Sequence, residues 1–85
     1  MYYLYLLRCA DNSLYCGQTN DLEKRVGQHS SGKSKSAKYT RNRLPIKLVY
    51  IEEYPNLTAA LRREMEIKKM TKMQKEALVE VKFNK

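Results

Sequence analysis

The chain has 85 residues, which is room for one domain (residues 1–85) with a small hydrophobic core and excludes a two-domain protein. Hydrophobic residues make up 42% of the sequence and charged residues 31%, a composition typical of soluble globular domains and not of disordered or membrane proteins. The 17 Lys and Arg residues exceed the 9 Asp and Glu residues, and the net charge of +8 favours a polyanionic partner, above all nucleic acid. A generally basic, well-solvated surface is the alternative explanation of the same charge.

The sequence also predicts where in the cell the protein is located. No stretch approaches the roughly 20 consecutive apolar residues that a membrane helix needs, and the apolar opening is too short for a signal peptide. Cys9 and Cys16 lack the paired spacing of a zinc site, so we expect them to pack as small hydrophobic side chains. These features predict a cytoplasmic protein with no membrane contact.

The chain opens with a predicted β-hairpin. Residues 2–7 and 14–18 are rich in aromatic and branched side chains, and the sequence Ala-Asp-Asn-Ser at residues 10–13 stops the first of them before the second begins. Each segment has the length of a typical strand, and the linker is short enough for antiparallel pairing.

The expected register of this hairpin brings two tyrosines together. A turn centred near Asp11 places Tyr5 opposite Gly17 and Leu7 beside Tyr15. Tyr5 and Tyr15 then become diagonal neighbours on one face of the sheet. A glycine inside a strand permits close approach of a ligand, so Gly17 is a candidate nucleic-acid contact, although it equally fits a β-bulge.

The next segment is predicted to be a helix. Asn20 and Glu23 have the spacing of a capping box, which predicts a helix that begins near Leu22 and reaches about Ser30. Leu22 and Val26 begin its apolar face.

Two polar residues of this helix lie beside its apolar face. At about 100° per residue, Arg25 and His29 both lie next to the apolar face formed by Leu22 and Val26, which packs on the sheet. Arg25 has the chemistry to bind a phosphate, and His29 has a pKa suited to proton transfer near neutral pH. The alternatives are a surface arginine and a histidine that bonds a carbonyl at the helix end.

A basic segment follows the helix. Residues 30–43 are rich in serine and contain no acidic residue, which predicts a loop or a short helical turn. Its cations are candidate contacts to nucleic-acid phosphates: Lys33, Lys35, Lys38, Arg41 and Arg43.

The remaining elements complete an α+β pattern. Residues 46–51 predict a third strand, which Pro55 ends, and residues 57–70 predict a helix by composition. Thr71 and Gln74 predict a new cap for a last helix over about residues 72–79. The order β-β-α-β-α-α predicts an α+β fold in which helices flank a small three-stranded antiparallel sheet.

One carboxylate interrupts the apolar side of the first of these two helices. Helical spacing places Glu64 on a stripe with Leu57 and Leu61. A carboxylate that faces a core is costly unless a cation compensates it, and a hard oxygen ligand would suit Mg²⁺. The alternative is an i,i+4 ion pair between Glu64 and Lys68 on a partly exposed face.

Taken in chain order, these residues resemble the GIY-YIG nuclease family, which includes intron homing endonucleases, some restriction enzymes and the incision domain of the UvrC repair nuclease. Tyr3-Leu4-Tyr5 stands at the first motif and Tyr15-Cys16-Gly17 at the second. Further matches follow in chain order: Gln18 and Thr19, residues 22–25, His29, and residues 60–64, which end at Glu64. The first motif has Tyr3 in place of its glycine, and Cys16 replaces the middle residue of the second motif. The match covers nearly the whole chain and is closest to the short stand-alone bacterial members.

The resemblance implies hydrolysis of DNA phosphodiester bonds with a single Mg²⁺ or Mn²⁺ ion on Glu64, in a task such as DNA repair or recombination. The metal and Arg25 would neutralise the scissile phosphate. Tyr5 is the favoured general base, and Tyr15 and His29 are alternatives as base, relay or positioning group. A non-catalytic nucleic-acid-binding module with the same fold is the alternative function, RNA is an alternative ligand, and a protein partner could supply substrate choice.

Overall fold

The computed structural model describes residues 1–32 and 37–83. Its elements in chain order are strands β1 (Tyr2–Arg8) and β2 (Leu14–Thr19), helices α1 (Leu22–Ser31) and α2 (Lys38–Arg41), strand β3 (Lys47–Tyr54), and helices α3 (Leu57–Lys68) and α4 (Lys72–Phe83). The predicted α+β class and order of elements are confirmed, and of the loop or short helical turn predicted for the basic segment, α2 is the helical turn.

The sheet has three antiparallel strands in the order β2-β1-β3, so β1 is central and β2 and β3 are edges. The β1–β2 ladder pairs Tyr5 with Gly17 and Leu7 with Tyr15, which confirms the register expected from the hairpin. The turn uses Asn12 at a positive φ of 68°, where asparagine is more tolerant than most residues. Because side chains alternate between faces, this register puts both tyrosines on one side of the sheet.

The two faces of the sheet are covered by different helices. One face carries Leu4, Leu6 and Cys16, which pack with Ile67 of α3 and Val79 of α4 in the main core. The opposite face carries the two tyrosines and packs against α1 and α2. Both cysteines are free and buried, as expected from their spacing.

Two helix caps were predicted, and one prediction was wrong. Thr71 and Gln74 form the expected reciprocal cap of α4, since each backbone N–H donates to the other's side chain, at 2.9 and 3.2 Å. The cap of α1 is Asp21 and not Asn20: its carboxylate accepts from the backbone N–H of Lys24 at 3.2 Å. The chain turns one residue later than predicted because the N–H of Asp21 donates to Thr19 Oγ1 at 3.1 Å.

The predicted apolar stripe of α3 was also wrong. The helix buries Ala60 and Ile67, whereas Leu57 and Leu61 remain 40% and 39% exposed. Ala60 and Ile67 lie about 70° around the helix from Leu57, so the sheet selects a different face from the one the leucines suggest. The small Ala60 side chain allows α3 to approach the sheet closely. Glu64 consequently lies at the border between the buried face and solvent.

A polar cluster fixes α3 against β3. Arg63 donates from Nε and Nη2 to the two carboxylate oxygens of Glu52, at 2.9 and 3.1 Å, and the hydroxyls of Tyr50 and Tyr54 donate to the same carboxylate. Burial alone would raise the pKa of Glu52, but these hydrogen bonds outweigh it and lower the pKa. Because Arg63 directly precedes Glu64, the cluster also fixes the rotation of the helix that places Glu64.

In the part of the chain that the structure describes, no helix is long and apolar enough to cross a lipid bilayer.

Candidate active site

The side chain of Tyr5 crosses from the central strand over the edge strand β2. A Cβ atom at residue 17 would lie 2.4 Å from Tyr5 Oη and 2.6 Å from Tyr5 Cζ, closer than any side chain can sit. Gly17 is therefore needed at this position to make room for the Tyr5 phenol. The Tyr5 phenol occupies the space above Gly17 in which a ligand was expected to lie. A direct contact between Gly17 and nucleic acid stays a prediction.

His29 is fully buried beneath this phenol. Its Nε2 atom lies 2.9 Å from Tyr5 Oη, and its Nδ1 atom lies 3.0 Å from Thr40 Oγ1 and accepts from the backbone N–H of Ala37 at 3.3 Å. The histidine therefore joins β1 to α2, instead of ending its helix on a carbonyl. Burial and the nearby charge of Arg25 lower the pKa of His29 to about 4, so the imidazole is neutral at pH 7.

Arg25 reaches the same phenol from α1. It is half-buried, donates to Gln28 Oε1 at 2.9 Å and lies close enough to Tyr5 to act on the pKa of its phenol. Burial raises the pKa of Tyr5 to about 12, and the neighbouring Tyr15 and Glu64 add to the increase, while the guanidinium of Arg25 opposes it. The arrangement is thus a buried phenol with a cation beside its oxygen.

Tyr15 is held between α1 and α2 by its ring. Its centroid lies 5.3 Å from that of His29 in an edge-on contact and 5.8 Å from that of Tyr39 in a stacked contact. The guanidinium of Arg43 lies 4.0 Å from the Tyr39 ring centroid, and Arg43 Nε donates to Asp11 Oδ2 at 3.0 Å. Tyr15 thus packs beside Tyr5 and His29, and its hydroxyl makes none of the hydrogen bonds that join His29 to its neighbours.

Glu64 approaches from α3, on the other side of the sheet edge. Its side chain is 16% exposed, and Glu64 Oε2 lies 3.0 Å from Lys68 Nζ, so the i,i+4 ion pair that was the alternative interpretation is present. Glu64 is also close enough to raise the pKa of Tyr5 and of Cys16. Because β2 is an edge strand, a side chain from α3 can meet the opposite face of the sheet there.

The metal-binding capacity of this site is that of one carboxylate. Within residues 1–32 and 37–83, no three His, Cys, Asp or Glu side chains group closely enough to form a multi-ligand metal site. A single carboxylate fits Mg²⁺, which keeps several waters and takes its remaining ligands from substrate phosphates. It does not fit a structural zinc site, which needs four protein ligands.

The predicted phosphate contacts of the basic segment divide into three groups. Lys33 and Lys35 lie outside the described residues. Lys38 and Arg41 are exposed on α2, the four-residue helix that also carries Thr40, the hydrogen-bond partner of His29. Arg43 is half-buried and stacks on Tyr39 while pairing with Asp11, so its guanidinium already has partners within the protein.

Sequence reasoning brought together Tyr5, Tyr15, Arg25, His29 and Glu64, and the structure places these side chains around one sheet edge. It missed Thr40 and Tyr39. Tyr39 is the one aromatic residue of an otherwise polar and basic segment, which was an available signal, but Thr40 does not differ in type from its polar neighbours. A segment without periodicity does not indicate which side chains turn inward.

Comparison with known proteins finds relatives over nearly the full length. The chain is 52% identical over 79 residues to a UPF0213 protein of Clostridium perfringens, covering 93% of this chain and 83% of that protein. It is 46% identical over 78 residues to a UPF0213 protein of Natronomonas pharaonis, covering 92% and 89%.

Solved structures and a family profile agree with these matches. The solution NMR structure of a UPF0213 protein from Bacillus halodurans superposes with a TM-score of 0.62 at 43% identity, covering 96% of this chain and 86% of that one. A solution NMR structure from E. faecalis gives a TM-score of 0.65 at 34% identity, covering 99% and 88%. The profile of the GIY-YIG catalytic domain matches residues 1–77. The resemblance noted from the two tyrosine motifs is thus confirmed, and the chain belongs to the GIY-YIG catalytic domain family.

Proposed function

We propose that this protein is a metal-dependent endonuclease that hydrolyses DNA phosphodiester bonds, with one domain over residues 1–85 supplying the whole site. The observation that carries the proposal is the meeting of a buried tyrosine, an arginine, a histidine and a carboxylate at the edge of β2. Membership of the GIY-YIG family and the net charge of +8 support a nucleic-acid substrate.

Glu64 would hold the divalent cation, Mg²⁺ or Mn²⁺. A cation bound there would neutralise charge on the scissile phosphate and make a coordinated water more acidic. Lys68 forms the present ion pair with Glu64, and its ammonium has a flexible stem that can turn to solvent when another cation arrives. The position of Glu64 at the border of the buried face leaves it open to water and phosphate ligands.

Tyr5 is the proposed general base, and Arg25 supports it. At pH 7 a phenol with a pKa of about 12 is protonated, so the base function needs positive charge beside the oxygen. Arg25 supplies such charge, and a guanidinium has the planar fork of N–H donors that binds phosphate oxygens. Tyr15 and His29 are the alternative bases, and the contacts of their rings favour a positioning role for Tyr15.

The basic segment would bind the DNA backbone beside the site. Lys38 and Arg41 lie on the same short helix as Thr40, whose side chain reaches His29, so a phosphate bound by these cations would be near the reacting bond. Lys33 and Lys35 are proposed to extend this contact. Such binding depends on charge and backbone shape, so we expect weak sequence preference and strong salt dependence.

The experiment that tests the function is cleavage of a panel of labelled duplex, single-stranded, flap and junction DNAs, with an RNA of matched sequence, in Mg²⁺, Mn²⁺ or EDTA. Glu64→Gln should abolish cleavage and leave DNA binding nearly intact, since it removes the charge and little else. Glu66→Gln is the matched control, because this neighbouring carboxylate is exposed on α3. Cleavage of flap or junction DNA in preference to duplex would support a role in repair or recombination.

A non-catalytic nucleic-acid-binding module is the second candidate. The Glu64–Lys68 ion pair and the raised pKa of Tyr5 favour it, because both describe a site that is unreactive in the absence of further cations. Salt-sensitive binding of DNA or RNA without any metal-dependent turnover would support this function over the first. A requirement for a second protein before cleavage occurs would indicate a partner that supplies substrate choice.

A further inference from the structure

The hydrogen bonds around His29 determine which ring nitrogen carries the proton. A backbone N–H can only donate, and that of Ala37 points at Nδ1 at 3.3 Å. Nδ1 must therefore accept, and the proton of the neutral ring lies on Nε2. The opposite tautomer would direct two N–H groups at each other inside a buried site, which is strongly unfavourable.

Thr40 completes this arrangement. Its Oγ1 lies 3.0 Å from His29 Nδ1 and 3.0 Å from the backbone carbonyl oxygen of Ala37, and its single hydroxyl proton can be donated to only one of these two acceptors at a time. The hydroxyl is fully buried, so its hydrogen bonds have no competition from water. Because Nδ1 accepts, the Thr40 hydroxyl donates to Nδ1 in this tautomer and holds the imidazole ring at a fixed angle.

The tautomer of His29 determines which hydrogen bond Tyr5 receives. His29 Nε2–H donates to Tyr5 Oη at 2.9 Å, and the positive charge of Arg25 lies nearby and favours the ionised phenol. Because the phenolic oxygen accepts from His29, its own proton is left for another acceptor, such as water or a substrate oxygen. A hydrogen bond donated to a phenol strengthens when the phenolic oxygen becomes negative, so His29 and Arg25 both favour the phenolate over the phenol.

From these contacts we infer that Thr40 and the backbone N–H of Ala37 set the Nε2–H tautomer of His29, and that Thr40 is thereby a positioning residue for Tyr5. His29 acts as a hydrogen-bond donor that stabilises the Tyr5 oxygen and does not remove its proton. The role of this device in catalysis rests on the proposed nuclease function, whereas the tautomer itself does not.

The tautomer can be measured directly because His29 is the single histidine of the chain. In protein labelled with ¹⁵N-histidine, two-bond ¹H–¹⁵N correlations distinguish a protonated ring nitrogen from an accepting one without any assignment ambiguity. In the free wild-type protein near pH 7 we expect Nε2 to be protonated and Nδ1 to be unprotonated. A protonated Nδ1 would overturn the inference, and this measurement needs no variant.

Two substitutions separate positioning from packing. Thr40→Val keeps the side-chain shape but removes the hydroxyl, and we expect the two ¹⁵N shifts of His29 to move toward each other as both tautomers become populated. Thr40→Ser restores a hydroxyl and should restore the wild-type spectrum. A Thr40→Val protein that folds and keeps the wild-type imidazole spectrum would show that Ala37 alone sets the tautomer and would remove Thr40 from the proposal.

Cleavage assays then connect the tautomer to the reaction. We expect Thr40→Val to lower the cleavage rate at saturating DNA about tenfold, which corresponds to the loss of one buried hydrogen bond, with DNA affinity unchanged and rescue by Thr40→Ser. Thr58→Val is the matched control, since Thr58 is exposed on α3. The expected tautomer with no cleavage by wild-type protein would refute the nuclease function alone, whereas cleavage with the opposite tautomer would refute this inference alone.

Discussion

The phenol of Tyr5 lies over Gly17, its partner across the β1–β2 ladder, in the space where any other residue would carry a side chain. The same phenol forms a hydrogen bond with His29, so its packing over Gly17 links the sheet to the candidate site. Displacement of Tyr5 should therefore affect stability and catalysis together.

We expect Gly17→Ala to lower the free energy of unfolding by about 1–3 kcal/mol, the usual cost of overpacking, and to reduce cleavage strongly. The added methyl group would lie 2.4 Å from Tyr5 Oη, so the ring must move away from His29. Urea denaturation and the cleavage assay measure the two effects. Gly27→Ala is the control, because no atom other than those of its chain neighbours and the helix backbone lies within 4 Å of a Cβ there, and this helical substitution should stabilise the protein by about 0.5–1 kcal/mol. Equal effects of the two substitutions would contradict the proposed packing.

His29 should make stability depend on pH between about 6.5 and 4. Its pKa is lowered from 6.5 to about 4 by burial and by Arg25, so within this window the unfolded chain binds a proton that the folded protein does not. The part of the free energy of unfolding that depends on a neutral His29 is fully present above pH 6.5. It is lost as the pH falls toward 4, and the total loss is up to about 3 kcal/mol.

Urea denaturation of the wild type and of His29→Gln at several pH values tests this dependence. Carboxylates titrate in both proteins, so their effect cancels when the free energy of unfolding of the variant is subtracted from that of the wild type. The wild-type free energy of unfolding should fall more steeply below pH 6.5 than that of the variant. Parallel curves for the two proteins would show that His29 is protonated in the folded state at its ordinary pKa.

Glu52 should matter for both stability and the position of Glu64. Glu52→Gln leaves Arg63 half-buried without its carboxylate, and we expect a loss of about 1–3 kcal/mol of stability. Because the pair fixes the rotation of α3, cleavage should fall even under conditions where the variant is fully folded. Glu53→Gln, on the exposed neighbouring residue of β3, should change neither property. A stable Glu52→Gln protein with wild-type cleavage would exclude the structural role given to this cluster.

Lys68 should compete with the metal for Glu64. Lys68→Gln removes the ion pair and should lower the Mg²⁺ concentration needed for half-maximal cleavage by up to about fivefold, since partly exposed pairs contribute at most about 1 kcal/mol. A Mg²⁺ titration of the cleavage rate measures this change. Lys69→Gln, one residue along and exposed, serves as the control. An increased Mg²⁺ requirement in Lys68→Gln would mean that Lys68 assists the site instead of competing for it.

The exposed cations of α2 should account for part of the salt dependence of DNA binding. Lys38→Gln and Arg41→Gln should each weaken binding to all DNA sequences alike and reduce the slope of log affinity against log salt by about 1. Fluorescence anisotropy over a salt series provides the slopes. Lys47→Gln, an exposed change on β3, should leave the slope unchanged. If all three substitutions act equally, binding is spread over the whole basic surface.

Several features followed from sequence alone because they depend on local geometry. A short linker and the two-residue alternation of strands determine the hairpin register, so the pairing of Tyr5 with Gly17 could be predicted. The reciprocal cap of α4 likewise joins Thr71 and Gln74, three residues apart. The helical period placed Arg25 and His29 toward the sheet for the same reason.

Only the tertiary structure decided how α3 is rotated and what surrounds His29. The leucines of α3 suggested one buried face, but Ala60 and Ile67 fit the space beside the sheet, and the Glu52–Arg63 pair between β3 and α3 holds that rotation. Thr40 reaches His29 across 11 residues through a segment without periodicity, so no local rule could place it. Local propensity depends on neighbours in the chain, whereas side-chain burial depends on the shape of elements packed from elsewhere, and that shape determined the environment of the candidate site.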